Sequence, residues 1–233
     1  MKNFKVVLLA FLVLVVLSCN EKEDSTVIGD AIVVAKKSGD DTVYAMAYYA
    51  YAYTPLKSVT VHAMVNSFPA TALAANGSYT TNFLKEPEDE DFTTLKPSAD
   101  TYVFSAVFES GKTYETQDEV TSDILGLPII EKCTYNSEKA YAELSWTALT
   151  NADSYVITVY DGSNSIVFRS GEFANTVTST TISTSTSGWV TGFPVSKGSY
   201  KVRIQAFKYE DSTNPNSYHI QSTSYSEASL VWD

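Results

Sequence analysis

The chain has 233 residues, of which 44% are hydrophobic and 18% charged, and its formal net charge is −11. This apolar content is enough for a packed core, and the excess of 27 acidic over 16 basic residues argues against nucleic acid as a partner, because phosphate binding needs clustered Lys and Arg. The two Cys and two His exclude a cysteine-rich zinc module and a disulfide scaffold.

Residues 1–18 are predicted to be a signal peptide. A basic start is followed by an unbroken apolar run from Val6 to Leu17, which is typical of secretion signals and too short to span a bilayer comfortably. The run ends at Ser18 and Cys19, and a small residue before such a Cys resembles the lipobox of bacterial lipoproteins. The resemblance implies cleavage before Cys19, lipidation of Cys19 and a membrane anchor of several acyl chains. The alternative is an ordinary signal peptide followed by a chance Cys.

Residues 19–28 are interpreted as a lipidated tether. The segment Asn20–Asp24 is acidic and resembles the export signal on surface lipoproteins of glycan-degrading gut anaerobes. That resemblance implies a protein on the outer leaflet of the outer membrane. The alternative is a solvated tether on a protein that faces the periplasm.

The rest of the chain has the two-residue periodicity of β-strands. Tyr200–Ala206 alternates apolar and polar residues, Ser58–Met64 and Tyr155–Tyr160 are rich in β-branched and aromatic residues, and the last strand is predicted over Ala228–Trp232. Gly-containing turn signals such as Asn76-Gly77 separate these segments. Short strands at this spacing predict an all-β chain of two tandem β-sandwiches, over 29–127 and 128–233.

The second half resembles a fibronectin type III domain. Trp146 ends an early strand, Tyr155 opens the next one, and Tyr200 opens a later one after Phe193. The resemblance implies that Trp146 fills the core and that Tyr200 packs over a corner. It implies a scaffold and no activity.

The first half repeats this pattern and is predicted to be Ig-like. Leu95 precedes Tyr102 by seven residues, as Phe193 precedes Tyr200, and the two pairs are 98 residues apart (200 − 102). A fixed offset of this kind predicts two sandwiches of related topology. The hinge is expected at 125–128, where Gly and Pro interrupt the strand pattern.

The candidate ligand-binding residues are Tyr49, Tyr51 and Tyr53. They lie in a tyrosine-rich segment, 44–53, whose alternation places them on one face of a strand, opposite Tyr44, Met46 and Tyr48. One face must be core, so the other presents phenol rings that suit stacking on sugars or on a partner's apolar surface. The alternatives are a bulge that turns all the rings inward and an interface, either between the two sandwiches or with another protein.

No other feature predicts chemistry. The segment Glu86–Asp91 holds five carboxylates in six residues but lacks the spacing of a calcium loop, so we expect a solvated loop and no metal. Cys133 is expected to be buried and inert. His62 and His219 are the only available bases, and no nucleophile elbow, HExxH or phosphate loop accompanies them.

The sequence therefore predicts a non-catalytic, cofactor-free surface lipoprotein of the outer membrane that binds or positions a ligand. One hypothesis is a glycan-binding accessory of a nutrient-uptake system, with a polysaccharide or an outer-membrane protein as partner. The alternative is a structural or adhesive module that contacts proteins. A glycoside-acting enzyme is the least favoured reading, since carboxylate pairs can be judged only in space.

Overall fold

The computed structural model describes residues 26–65, 69–190, 197–210 and 219–233. Every regular element within these ranges is a β-strand, apart from one 3-10 turn at Asp89–Asp91. The predicted all-β fold class is confirmed. Among the described residues no helix is long and apolar enough to span a membrane.

The first sandwich contains seven strands. In chain order they are β1 (Val27–Ser38), β2 (Asp41–Ala52), β3 (Leu56–Ala63), β4 (Thr71–Asn76), β5 (Tyr79–Lys85), β6 (Asp100–Phe108) and β7 (Thr113–Val120). One sheet has the order β1-β2-β5-β4 and the other has the order β3-β6-β7, which is the arrangement of a constant-type immunoglobulin domain. Strand β4 also pairs with β3 and so joins the two sheets at one edge.

The second sandwich contains the remaining eight strands. They are β8 (Ile130–Asn136), β9 (Tyr141–Trp146), β10 (Ser154–Tyr160), β11 (Ile166–Arg169), β12 (Phe173–Ala174), β13 (Ser179–Ser183), β14 (Gly198–Tyr209) and β15 (Ile220–Trp232). A three-stranded sheet β8-β9-β13 faces the sheet β11-β10-β14-β15, and β12 adds a short pairing to β10. Three strands thus face four across the second core.

Each sandwich has its own hydrophobic core. Phe104 and Leu56 are fully buried in the first core, and Trp146 and Tyr155 are fully buried in the second, with their ring centroids 5.5 Å apart. The first core ends in the sequence at Ile124 and the second begins at Leu125. Trp146 thus fills the core, as the resemblance implies.

The two sandwiches share one sheet, because the first and last strands pair in parallel. Val34 of β1 lies beside Thr223 of β15, and Lys36 lies beside Tyr225. The neighbours along this joined sheet are β11-β10-β14-β15-β1-β2-β5-β4. Partners in a sheet point to the same face, so both cores lie on one side of it and the opposite sides of the two sandwiches form a continuous outer face.

Strand β15 is longer than the sequence analysis predicts. It begins at Ile220, eight residues before the predicted start at Ala228 (228 − 220). Its first half contains Ser222 and Ser224, which are polar yet fully buried between the two sandwiches. Their hydroxyls bond the connecting segment, since Leu125 N donates to Ser222 Oγ at 3.2 Å and Ser224 Oγ donates to the carbonyl oxygen of Gly126 at 2.6 Å. These partners offset the cost of burying the polar groups.

Of the residues that define the predicted internal repeat, the two tyrosines occupy equivalent positions in the structure. Tyr102 is the third residue of β6 and Tyr200 is the third residue of β14, and both are buried at equivalent positions of their sandwiches. Leu95, in contrast, is 79% exposed, so it does not belong to the first core. Its predicted counterpart Phe193 lies outside the described residues.

Candidate functional site

The outer face of the joined sheet forms a groove across the junction of the two sandwiches. It encloses about 830 Å³ and is lined by β1 and β2 on one side and by β10, β14 and β15 on the other. A second hollow of about 770 Å³ extends it, because the two share Phe92, Arg203 and Tyr225. A groove with these walls exists only because β1 and β15 join the sheets.

The tyrosine-rich strand contributes one wall of this groove. Strand β2 pairs with β1 without a bulge from Asp41 to Ala52, so its side chains alternate along its whole length. Tyr44, Met46 and Tyr48 pack against the first core. Tyr49 and Tyr51 consequently point to the outer face, while Tyr53 lies just past the end of β2.

The three candidate tyrosines differ in their exposure. Tyr49 is half-buried in the groove, where its hydroxyl donates to Glu86 Oε1 at 2.9 Å. Burial and the nearby Glu86 carboxylate raise the pKa of Tyr49 above its usual range. Tyr51 and Tyr53 are 40% and 70% exposed, and their rings meet edge to face with centroids 5.2 Å apart. They continue the aromatic surface beyond the groove, beside the exposed Ile28 that pairs with Tyr51.

The opposite wall carries a second aromatic surface, which is organised by Arg203. Its guanidinium carbon lies 3.9 Å from the ring centroid of Tyr225 and 5.1 Å from that of Tyr160. The guanidinium also donates to Glu227 Oε1 through Nε at 2.9 Å and through Nη2 at 2.7 Å. A paired guanidinium stacked between two rings gives a flat and rigid surface.

The groove is close to neutral although the protein is acidic. Five basic and four acidic side chains line the two hollows: Lys36, Lys37, Arg169, Lys201, Arg203, Asp30, Glu86, Asp89 and Glu227. The whole chain has a formal charge of −11. An uncharged ligand therefore meets little long-range field in the groove, whereas a polyanion meets repulsion from the rest of the surface.

The acidic segment Glu86–Asp91 borders the groove. Lysines hold two of its carboxylates, since Lys36 pairs with Asp89 and Lys85 Nζ lies 2.9 Å from Asp91 Oδ2. These lysines lower the pKa of both carboxyls. Lys36 also lies 3.9 Å above the ring centroid of Phe92, so the segment is fastened to the groove's rim.

A cluster that the sequence analysis missed lies at one end of the groove. One ligand atom each of Asp30, Glu210 and His219 falls within 4.8 Å of the other two. Asp30 and His219 are far apart in sequence and no local motif marks them, so only the β1–β15 pairing reveals the cluster. His62, the other histidine, is exposed on β3.

The structure describes one of the two cysteines, Cys133. Cys19, the predicted lipidation site, lies outside the described residues. Cys133 is half-buried against the second core, and burial raises the pKa of its thiol to about 11.

Comparisons with known proteins give no family. No protein-family model matches the chain, and no curated protein is significantly similar to it. Solved structures that match the chain include the dimeric latent PorU of Porphyromonas gingivalis (9% identity, 91% of this chain and 21% of that chain, TM-score 0.29). They also include the BSP domain of a biofilm-associated protein (9% identity, 95% and 54%, TM-score 0.27).

A third such structure is that of the fibronectin(III)-like modules of CbhA from Clostridium thermocellum, at 11% identity, covering 88% of this chain and 93% of that chain with a TM-score of 0.28. The chain spans about a fifth of the PorU chain and about half of the BSP chain. At these TM-scores the function has to be inferred from the geometry of this chain.

Proposed function

We propose that the protein is a non-catalytic module that binds a neutral carbohydrate chain along the outer face of its joined sheet. The observation that carries the proposal is the pair of aromatic surfaces on that face: Tyr49, Tyr51 and Tyr53 on the first sandwich, and Tyr160 and Tyr225 with Arg203 on the second. Sugar rings stack on flat aromatic side chains through their apolar faces.

The shape and charge of the groove support a polymeric ligand. The two hollows of about 830 and 770 Å³ share three lining residues, so they form one continuous trough. The near balance of charge along it suits an uncharged chain with many hydroxyls. Glu86 and Glu227 lie on opposite walls as acceptors for those hydroxyls.

The proposed location rests on the sequence. A signal peptide over 1–18 and the lipobox-like Cys19 favour a lipoprotein, and the acidic segment Asn20–Asp24 favours display on the outer surface of the outer membrane. A glycan-binding protein in that position would hold polysaccharide near an uptake system.

The experiment is affinity electrophoresis of residues 20–233, which contain every described strand, through gels that hold neutral plant, host or microbial polysaccharides. Retardation by one polysaccharide is expected. It should be lost in the Tyr49→Ala/Tyr51→Ala double variant and weakened in Tyr225→Ala. Tyr114→Ala is the matched control, because Tyr114 is an exposed tyrosine on β7, in the other sheet.

Uniform migration through every gel would overturn glycan binding, and so would equal losses in Tyr114→Ala and the double variant. The second candidate, a structural or adhesive protein-binding module, would then be favoured. The adjacent exposed side chains Ile28, Tyr51 and Tyr53 support it, since such an apolar cluster suits a protein interface.

A further inference from the structure

Three metal-ligating side chains from distant parts of the chain meet beside the groove. Asp30 lies on β1, Glu210 follows the end of β14, and His219 precedes the start of β15. One carboxylate oxygen of each acid and one imidazole nitrogen of His219 lie within 4.8 Å of one another. Asp30 belongs to the first sandwich, whereas Glu210 and His219 belong to the second.

The backbone holds these residues in place. Ile220 N donates to Asp30 Oδ2 at 3.1 Å, which ties β1 to the residue after His219. Glu210 N donates to the carbonyl oxygen of His219 at 3.1 Å, which sets the two second-sandwich ligands side by side. Asp30 is therefore held within β1, and Glu210 and His219 are held beside the ends of β14 and β15.

A buried oxygen in this cluster lacks a hydrogen-bond donor among the described residues. Asp30 Oδ1 is sealed from solvent and accepts no hydrogen bond from residues 26–65, 69–190, 197–210 or 219–233, while its other oxygen accepts one from Ile220 N. A buried acceptor without a donor is rare in folded proteins and costly, so it points to a missing partner.

The cluster also concentrates negative charge. Asp118 of β7 is buried beside it and accepts a hydrogen bond from Ala31 N at 2.7 Å. In the described ranges no Lys or Arg pairs with Asp30, Asp118 or Glu210. Burial, opposed by the Ile220 hydrogen bond, raises the pKa of Asp30 to about 7. Partial desolvation and the neighbouring Asp118 carboxylate raise the pKa of Glu210, although Glu210 itself is exposed.

We propose that Asp30, Glu210 and His219 form a binding site for one divalent transition-metal ion, with Zn²⁺ as the best fit. Zinc accepts imidazole nitrogen together with carboxylate oxygen, and three protein ligands are enough for it. Calcium and magnesium prefer sites built from oxygen alone, so the imidazole selects against them. The ion would be the missing partner of Asp30 Oδ1, and its positive charge would offset the negative charge of the clustered carboxylates.

Such an ion would act as a clamp between the sandwiches. Its ligands come from both sides of the β1–β15 junction, and Asp30 and Ile220 also line the groove. Binding would fix the end of the groove and hence the spacing of its two walls. This inference is independent of carbohydrate binding.

The test uses the two histidines of the chain as separate reporters. In ¹H–¹⁵N spectra of residues 20–233, made without a polyhistidine tag, each imidazole gives its own signals. Zn²⁺ should shift those of His219 until one equivalent is reached, whereas those of His62 should stay unchanged. Ca²⁺ at the same concentration should shift neither.

Variants identify the other two ligands. Asp30→Asn and Glu210→Gln should each weaken Zn²⁺ binding at least tenfold in a chelator competition assay. Glu131→Gln is the matched control, since Glu131 is an exposed glutamate on β8, and it should bind as the parent does. The amide spectra of the variants verify that each is folded.

The proposal is overturned if His219 does not respond to one equivalent of Zn²⁺ in the folded parent. It is also overturned if His62 and His219 shift alike, or if Glu210→Gln binds as tightly as Glu131→Gln. A site that Ca²⁺ fills in preference to Zn²⁺ would contradict the assigned metal class.

Discussion

Gly29 of β1 faces the ring of Phe104 across the first core so closely that no side chain fits between them. A Cβ added at Gly29 would lie 2.4 Å from Phe104 Cδ2 and 2.5 Å from Cγ. Phe104 is fully buried and cannot turn away without displacing its neighbours. The absence of a side chain at residue 29 thus lets the two sheets of the first sandwich approach each other.

The change Gly29→Ala is therefore expected to destabilise the fold. Overpacking of a filled core costs about 1–3 kcal/mol. The distance from the added Cβ to Phe104 Cδ2 is shorter than Cβ contacts in folded proteins allow, so Phe104 or the backbone would have to move. Urea unfolding of the parent and the variant measures the difference in the free energy of unfolding. Gly171→Ala is the control, because a Cβ there meets nothing within 4 Å. Equal stabilities of the two variants would contradict the close contact.

Ser224→Ala should loosen the connection between the sandwiches. The change removes the 2.6 Å hydrogen bond to the carbonyl oxygen of Gly126 and leaves that acceptor without its partner. An unsatisfied buried group costs about 1–3 kcal/mol. Ser229→Ala, on the exposed part of the same strand, should change the free energy of unfolding little. Amide hydrogen exchange at 124–126 should rise in Ser224→Ala, and unchanged exchange would argue against this role.

Cys133 should react slowly with alkylating agents in the folded protein. The thiolate is the reactive form, and burial raises the thiol pKa from the ordinary value of 9.0 to about 11. The thiolate fraction at pH 8 therefore falls roughly a hundredfold relative to an unshifted thiol. Mass spectrometry of iodoacetamide-treated protein, with and without urea, measures the two rates. The ratio of the two rates should stay near this value below about pH 8 and shrink at higher pH, where the unfolded thiol becomes fully ionised, and equal rates would show an ordinary thiol.

Cys19→Ala should abolish membrane anchoring in a Gram-negative host. Labelling with radioactive palmitate should mark the parent and the Cys133→Ala control but leave the Cys19→Ala chain unlabelled, since Cys19 is the proposed acceptor of lipid. Cell fractionation would place the parent in the outer membrane. Label that persists on Cys19→Ala would show that lipid is attached elsewhere.

The alternation of side chains predicts the strands well, because burial on one face imposes a period of two. Strand β14 includes the predicted Tyr200–Ala206, and the tyrosines of β2 divide between its two faces as their spacing predicts. The first half of β15 has no such signal. Its serines are buried at a polar junction, where hydrogen bonds to the connecting segment replace apolar contacts.

The groove and the cluster beside it could not be predicted from the sequence. Asp30 and Ile220 are 190 residues apart and are joined by a parallel pairing, which has no hairpin turn to announce it. Tyr49 could be assigned to an outer face from its spacing. Its partner wall around Arg203 depends on which strand lies next to β1, and no local pattern specifies that neighbour.

The β1–β15 pairing also determines when the joined sheet can form during synthesis. Strand β2 follows β1 through a turn of two residues, Gly39 and Asp40, so one edge of β1 is covered almost at once. The other edge must wait for β15, which is synthesised after the other fourteen described strands. Until then the emerging chain exposes an unpaired strand edge, which is a site for mispairing with other chains. Strand β15 therefore completes the second core and, in the same step, pairs with the free edge of β1 and so joins the two sandwiches.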